Sequence, residues 1–246
     1  MMSLVLFHGF TGSPQSFAPL LASLGEPPLL APALVGHTGI KAPEIHCFEE
    51  EVDRLADLVR GAGFSGACLV GYSLGARIAL GLLVRHPALF ASAVLVGVHP
   101  GLESETERRQ RRAADERWCA LLETQGLEAF VNAWQAQTLF ASQRRLAQEI
   151  LERQRRERLS HTARGLAQSL RTTGLAAMPC YLDRVRDIEA PVTLVVGALD
   201  TKFSVLSERM APHLQRGQRV VVAGAGHNVL LEQPEALVEL LRAEAA

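Results

Sequence analysis

Gly71-Tyr72-Ser73-Leu74-Gly75 places a serine between two glycines, directly after the apolar run Ala67–Val70 and directly before a helix-like stretch from Ala76 to Arg85. A strand, a tight turn and a helix in that order lift a serine hydroxyl clear of the end of a buried strand. Both glycines are required because the strained turn brings strand and helix closer than side chains allow. A hydroxyl is a poor nucleophile or base until an imidazole takes its proton, and the imidazole needs a carboxylate to fix its tautomer. Two later loops supply these groups. The strand pattern Val192–Gly197 runs into Asp200, and the last strand pattern runs into Gly224-Ala225-Gly226-His227-Asn228, where glycines flank an imidazole. Ser73, Asp200 and His227 are the expected catalytic set. Charge developing on an oxygen would be met by two backbone donors, Leu74 after the serine and Phe10 in the His8-Gly9-Phe10 loop that follows the first strand pattern.

The competing groups fit less well. His37, His46, His86, His99, His161 and His213 lack a terminal strand and a glycine loop, and read as surface or packing residues. Asp183 and Asp187 precede their strand and would sit at its wrong end. The chain order Ser, Asp, His is that of the α/β-hydrolase fold, whereas other serine enzymes use other orders.

The elements that must hold these groups agree. Leu4–Phe7 is a continuous apolar run of the kind buried on both faces of a parallel sheet. Ser13 then reads as a helix N-cap with Pro14 at the first helical position, leading into 15–23. A short strand at Leu29–Ala31 lies in a loop-rich region, 25–43, and 48–60 returns to helical spacing. Apolar runs at 93–98, 192–196 and 220–223 alternate with helix-like stretches at 204–214 and 234–246. Strand alternating with helix predicts a mostly parallel, doubly wound α/β sheet. From Gly101 to Met178 there is no proline, and Arg, Glu, Gln, Ala and Leu dominate, so this segment is expected to be wholly helical. The expected organisation is a core of residues 1–100 and 179–246, with a helical cap at 101–178 over the carboxyl edge of the sheet.

Bulk properties narrow the setting. The 246 residues carry a net charge of -1 and 48% hydrophobic residues, which suits one α/β core with an insertion and gives no general call for nucleic acid or an anionic membrane. Cys47, Cys68, Cys119 and Cys180 are too far apart for a zinc or dithiol motif and read as reduced thiols. The first ten residues lack a basic leader and a cleavage site, and their apolar run is too short to cross a bilayer. A cytoplasmic protein without metal or cofactor is expected, either monomeric or homo-oligomeric.

The insertion holds thirteen arginines and no lysine, and most of them must be solvated. Arg77 is different. It lies four residues after Ser73 on the first turn of the elbow helix, where a guanidinium can face the pocket and fork onto a carboxylate.

Across nearly its whole length the chain resembles the bacterial 2-succinyl-6-hydroxy-2,4-cyclohexadiene-1-carboxylate synthases of menaquinone biosynthesis, members of the α/β-hydrolase superfamily. The resemblance is carried by Phe7-His8-Gly9-Phe10-Thr11-Gly12, by Gly71 to Arg77, by His99-Pro100-Gly101-Leu102, by Arg111 with Trp118, by Trp134, by Phe140-Ala141-Ser142, by Asp200-Thr201-Lys202-Phe203 and by Ala225 to Asn228. It implies a lyase in which Ser73, activated by His227 and Asp200, acts as base and pyruvate is eliminated, with Phe10 and Leu74 as oxyanion hole. It also implies a small substrate with several carboxylates, bound by Arg77, Arg111 and Arg158, with Tyr72 and Trp134 at pocket positions. Three departures stand out: Ala76 replaces a glycine common in the family, Leu34–Gly39 is a loosened form of its Leu-Pro-Gly-His-Gly loop, and Gln135 stands where tyrosine is frequent. Met1 lies close to the first core strand, so the antiparallel strands that usually precede it are expected to be missing, or the start to be internal. A carboxylesterase or carbon–carbon bond hydrolase would use the same three residues in a different pocket, and a non-catalytic binding protein on this fold is a third reading.

Overall fold

In the computed structural model, residues 2–37 and 44–244 are described. The Thr38-Gly39 end of the Leu34–Gly39 loop and the last two alanines of the expected terminal helix lie outside them. The strands are β1 (Leu4–Phe7), β2 (Leu29–Leu30), β3 (Cys68–Tyr72), β4 (Ser92–Val96), β5 (Val192–Gly197) and β6 (Gly217–Val222). They form one sheet in the order β2-β1-β3-β4-β5-β6, and every neighbouring pair runs parallel. The helices are α1 (Ala18–Leu24), α2 (Phe48–Gly61), α3 (Leu74–Arg85), α4 (Glu105–Gln135), α5 (Gln148–Leu159), α6 (Ala163–Thr173), α7 (Thr201–Met210), α8 (Val229–Glu232) and α9 (Pro234–Glu244).

Strand residues alternate between two buried faces. Val5, Phe7, Leu69, Leu95 and Leu194 pack with α2 and α3 on one side, while Leu4, Leu6, Val70, Val94 and Val195 pack with residues of α1 and α9 on the other. Both faces of the four inner strands, β1, β3, β4 and β5, are covered, which is why these read as mostly apolar runs, whereas the edge strand β6 opens with exposed Gly217, Gln218 and an Arg219 only partly covered. Burying each such side chain contributes about 1.5–3 kcal/mol of transfer free energy.

Two local structures differ from the sequence expectation. Ser13 does cap a helix with Pro14 behind it, but the first turn, Pro14–Phe17, is a tight 3-10 turn before α1 begins. The 101–178 segment is not continuous helix. Gly126 sits at φ 83° inside α4, a left-handed conformation that breaks the helix, and Thr138–Arg145 is 3-10. Between α4 and α6 lies a separate apolar cluster that includes Phe130, Trp134, Phe140 and Leu166, against which Phe10 packs. Among the described residues no helix is long and apolar enough to cross a membrane.

The sheet order places its switch point at β1, whose neighbours β2 and β3 lie on opposite sides; ligands of open α/β sheets bind in the crevice at such a point. Phe7 of β1 pairs with Gly71 of β3, so the loop carrying Phe10 and the turn carrying Ser73 emerge side by side. Close packing keeps them there. A Cβ on Gly75 would collide with the backbone carbonyl of Phe7, and one on Gly71 would stand 2.6 Å from the Gly75 carbonyl oxygen. These are backbone neighbours that no rotamer change relieves. Gly75→Ala is therefore expected to cost about 3 kcal/mol, read as a lower urea midpoint with an unchanged slope, whereas Gly63→Ala, where a Cβ meets nothing within 4 Å although φ is 77°, should cost about 1 kcal/mol. Equal midpoints for the two variants would show that the elbow is not tightly packed.

Candidate active site

Ser73 follows β3 at φ 52° and ψ −105°, outside the helical region, and its carbonyl then accepts the Arg77 N–H at 3.0 Å as α3 begins. Such a φ is costly for a side chain with a Cβ, and it points the hydroxyl away from the helix. Asp200 ends the turn after β5 and caps α7, its Oδ1 accepting from the Phe203 N–H at 3.2 Å. His227 lies in the glycine loop after β6. Its Nδ1 is 2.7 Å from Asp200 Oδ2 and its Nε2 is 3.0 Å from Ser73 Oγ. Because a carboxylate only accepts, Nδ1 carries the proton and Nε2 is free to accept the serine hydroxyl. The ring is 2% exposed, close to Phe203 with centroids 4.4 Å apart, and Gly97 lacks the Cβ that would meet His227 Cε1 at 2.8 Å.

The loop after β1 is pinned by three buried histidines. Leu34 N–H donates to His8 Nε2 at 3.2 Å, and His8 Nδ1 donates to the Gly9 carbonyl at 2.9 Å. Thr11 N–H donates to His37 Nε2 at 3.1 Å, and His161, between α5 and α6, donates from Nε2 to the Thr11 carbonyl at 3.1 Å. Each imidazole that accepts an N–H must be neutral. Burial lowers all three, His8 to about 4, and each also feels a neighbouring histidine or a backbone partner. Phe10 follows directly, and Leu74, the first residue of α3, has no intrahelical acceptor for its N–H. Gly9 lies over the Tyr72 ring, where a Cβ would come within 2.7 Å.

Two cavities meet at Ser73. The larger, about 670 Å³, is lined by Ser73, Arg77, His99, Arg111, Lys202 and Trp134, among others. The smaller, about 400 Å³, lies on the other side and includes Tyr72, Phe140 and Arg158. In the larger one, Arg77 Nη1 donates to the Thr173 carbonyl at 2.9 Å, and it feels the charges of Arg111 and Asp115. Burial first, and then Arg111, lower it to about 9. Arg111 Nε donates to Asp115 Oδ1 at 2.8 Å. Lys202 is lowered by burial and by Arg111. His99 Nδ1 accepts the Gly101 N–H at 3.1 Å, so its proton sits on Nε2, and burial with Lys202 and Arg77 lowers it to about 3. In the smaller cavity the Arg158 guanidinium, 4% exposed, lies 5.2 Å from the Phe140 ring centroid and is lowered by burial to about 10. Tyr72 is raised above its ordinary value, chiefly by burial.

The structure thus gathers Ser73, Asp200, His227, Phe10, Leu74, Arg77, Arg111 and Trp134 around the larger cavity, and Tyr72 and Arg158 around the smaller one. Trp134 also packs within an aromatic cluster, stacked on Phe130 at 5.5 Å. Three residues escaped the sequence reading. His99, taken for a surface or packing residue, lines the cavity beyond the carboxyl end of β4, and a strand-end criterion applied to every strand would have found it. Lys202, two residues after Asp200, is found by the same criterion. Asp115 is betrayed only by its i,i+4 spacing from Arg111.

The match to known proteins follows the same outline. The model for the alpha/beta hydrolase family covers residues 4–240, and the chain belongs to that family. A relative from Enterobacter sp. (strain 638), named 2-succinyl-6-hydroxy-2,4-cyclohexadiene-1-carboxylate synthase, is 31% identical over 238 residues, 97% of this chain and 89% of its own. A Bacillus subtilis (strain 168) relative, whose name assigns it provisionally to the same reaction, is 35% identical over 94% of this chain and 86% of its own. The structure of MenH from S. aureus superposes with a TM-score of 0.92 at 25% identity, covering 98% of this chain and 92% of that one. A malate-bound thermophilic esterase from Thermogutta terrifontis, at 24% identity and a TM-score of 0.84 over 100% of this chain and 89% of its own, shares the fold. Within the alpha/beta hydrolases, the chain belongs to the 2-succinyl-6-hydroxy-2,4-cyclohexadiene-1-carboxylate synthase family.

The histidine trio sets a pH dependence. A histidine whose folded value lies below its unfolded value of about 6.5 contributes fully above 6.5 and is lost as pH falls toward the folded value, because the unfolded chain then binds the extra proton. From pH 7.5 to 5.0 the loss expected from His8 alone is about 2 kcal/mol, read from urea midpoints. An unchanged midpoint across that range would mean that the trio is not held neutral.

Proposed function

We propose that this protein eliminates pyruvate from 2-succinyl-5-enolpyruvyl-6-hydroxy-3-cyclohexene-1-carboxylate, giving 2-succinyl-6-hydroxy-2,4-cyclohexadiene-1-carboxylate for menaquinone biosynthesis. The observation that carries this reading is Arg77: a half-buried guanidinium on the cavity wall with Ser73, whose hydrogen-bond partner is a backbone carbonyl and which feels the repulsion of Arg111 more strongly than the attraction of Asp115. A neutral ester gives such a group nothing to bind, whereas a carboxylate relieves both its desolvation and its repulsion from Arg111.

In this reading His227 takes the Ser73 proton, and Ser73 Oγ removes a ring proton. The C–H electron pair becomes the second ring double bond, and the C–O pair departs with enolpyruvate, which takes up the proton and becomes pyruvate. Negative charge building on the succinyl carbonyl is met by the Phe10 and Leu74 N–H groups. Asp200 keeps the imidazole in the tautomer that accepts at Nε2. Arg77 and Arg111 bind carboxylates in the larger cavity, and Arg158 with Tyr72 and Trp134 completes the enclosure from the other side. Residues 101–178 serve as the cap, the rest as the core, and each step uses groups of this chain. The four free cysteines suit a reducing compartment, the cytoplasm.

A hydrolase reading has the shared esterase fold in its favour, and one experiment separates the two. Purified protein is given the cyclohexene substrate while diene absorbance and pyruvate are followed, with p-nitrophenyl acetate in parallel. Ser73→Ala should lower kcat at least about 1000-fold. Arg77→Ala should lower kcat/KM by about 30-fold or more, the equivalent of about 2–5 kcal/mol for an unpaired buried charge partner. Serine-dependent ester cleavage that ignores Arg77, with no pyruvate formed, would establish a hydrolase instead.

A further inference from the structure

The loop that presents His227 is held from behind by a carboxylate. Glu232 closes α8 and its side chain is fully buried. It reaches back along the chain: Oε2 accepts the Gly226 N–H at 2.8 Å and Oε1 accepts the Asn228 N–H at 3.3 Å. Those two amides flank His227. A single rigid carboxylate that accepts from the residues on both sides of the histidine fixes where its Cα sits and where its side chain sets out.

The loop has other ties as well. Leu199 N–H donates to the Ala225 carbonyl at 2.9 Å, and Ala225 N–H reaches the Val222 carbonyl only at 3.4 Å. Gly226 has no Cβ, and one there would run into Ser142 and stand 3.2 Å from Glu232 Oε1, so carboxylate and loop pack in direct contact. Arg145, in the 3-10 segment before α5, donates to the Gly224 carbonyl and lies 3.5 Å from Glu232 Oε2. Glu232 therefore joins the histidine loop to the helical segment above the cavity. The imidazole must meet Asp200 at 2.7 Å and Ser73 at 3.0 Å at once, and a displacement of about 1 Å is enough to cost about 100-fold in rate.

We propose that Glu232 is a positioning residue for His227, setting the geometry in which the imidazole takes the Ser73 proton. The inference rests on the reading of Ser73, His227 and Asp200 as the working set, and not on the identity of the substrate. Its test is the rate at which a fluorophosphonate probe labels Ser73, a reaction that needs the serine–histidine pair but no lyase substrate. Wild type, Glu232→Gln and Glu232→Asp are compared, with Ser73→Ala as blank, folded fractions from circular dichroism, and lyase kcat and KM alongside. Gln keeps one acceptor and turns an NH₂ toward an amide, and Asp is one methylene too short. Both are expected to label about tenfold more slowly per folded molecule, with kcat falling in parallel and KM within twofold. Arg145→Ala, which leaves both amide bonds in place, should stay within threefold of wild type. Folded variants that label at the wild-type rate, or a loss that only tracks the unfolded fraction, would overturn the proposal. A wild-type protein that leaves Ser73 unlabelled overturns it together with the triad reading. One that labels but forms no pyruvate sinks the lyase reading alone, and the labelling rates still decide the role of Glu232.

Discussion

The molecule is organised around one close approach, that of the start of α3 to the end of β1. Gly75 lies against the Phe7 carbonyl and Gly71 against the backbone of residues 75 and 76. With the strand on one side and the helix on the other, Ser73 has no relaxed conformation left, and it is held at φ 52°. A strained residue of this kind costs about 1–3 kcal/mol, which the burial of β1, β3 and α3 in two apolar layers easily offsets. From that contact the rest follows. The loop after β1 must run beside the turn, Leu74 begins the helix with a free N–H, and Arg77 falls one turn further along α3, on the cavity wall.

The second organising feature is positive charge brought together around the cavities. Arg77, Lys202 and Arg158 are each held below their ordinary values, in each case first by burial, and Arg111 adds repulsion to the first two. Of the carboxylates nearby, Asp115 engages Arg111 and Asp200 engages His227. A site so charged is less stable empty than a neutral one would be, and the deficit is recovered when an anion enters. His99 sharpens the contrast. It is kept neutral by the same surroundings, so it offers one N–H without adding to the repulsion.

The inner strands were readable from the sequence because parallel strands buried on both faces are continuous apolar runs, whereas the polar first half of the edge strand β6, Gly217–Arg219, lay outside the apolar run at 220–223. Ser73, Asp200 and His227 were legible because strand ends and glycine loops mark where side chains converge. The break at Gly126 and the 3-10 turn at 138–145 were not, because a lone glycine in a helical pattern has the same letter whether it continues the helix or stops it. Glu232 was hidden for a deeper reason. Its role depends on which backbone atoms its side chain meets, and no residue type or spacing encodes that a glutamate will turn back onto the amides around a histidine.

A serine, a histidine, an aspartate and two N–H donors do not by themselves choose between hydrolysis and elimination. In acyl transfer the oxygen gains its negative charge when the serine attacks the carbonyl carbon; in elimination it gains the same charge when a proton leaves the neighbouring carbon. The donors serve both, and the serine hydroxyl, once its proton is accepted, can act as nucleophile or base. What decides is which substrate atom lies within about 3 Å of Ser73 Oγ, and that is set by the groups that anchor the rest of the substrate. Here those groups are cations on both sides of the serine, Arg77 and Arg111 in one cavity and Arg158 in the other. A molecule tethered by carboxylates at both ends has little freedom to turn its carbonyl carbon toward the hydroxyl. In the proposed reaction, the arginines therefore determine the chemistry as well as the affinity.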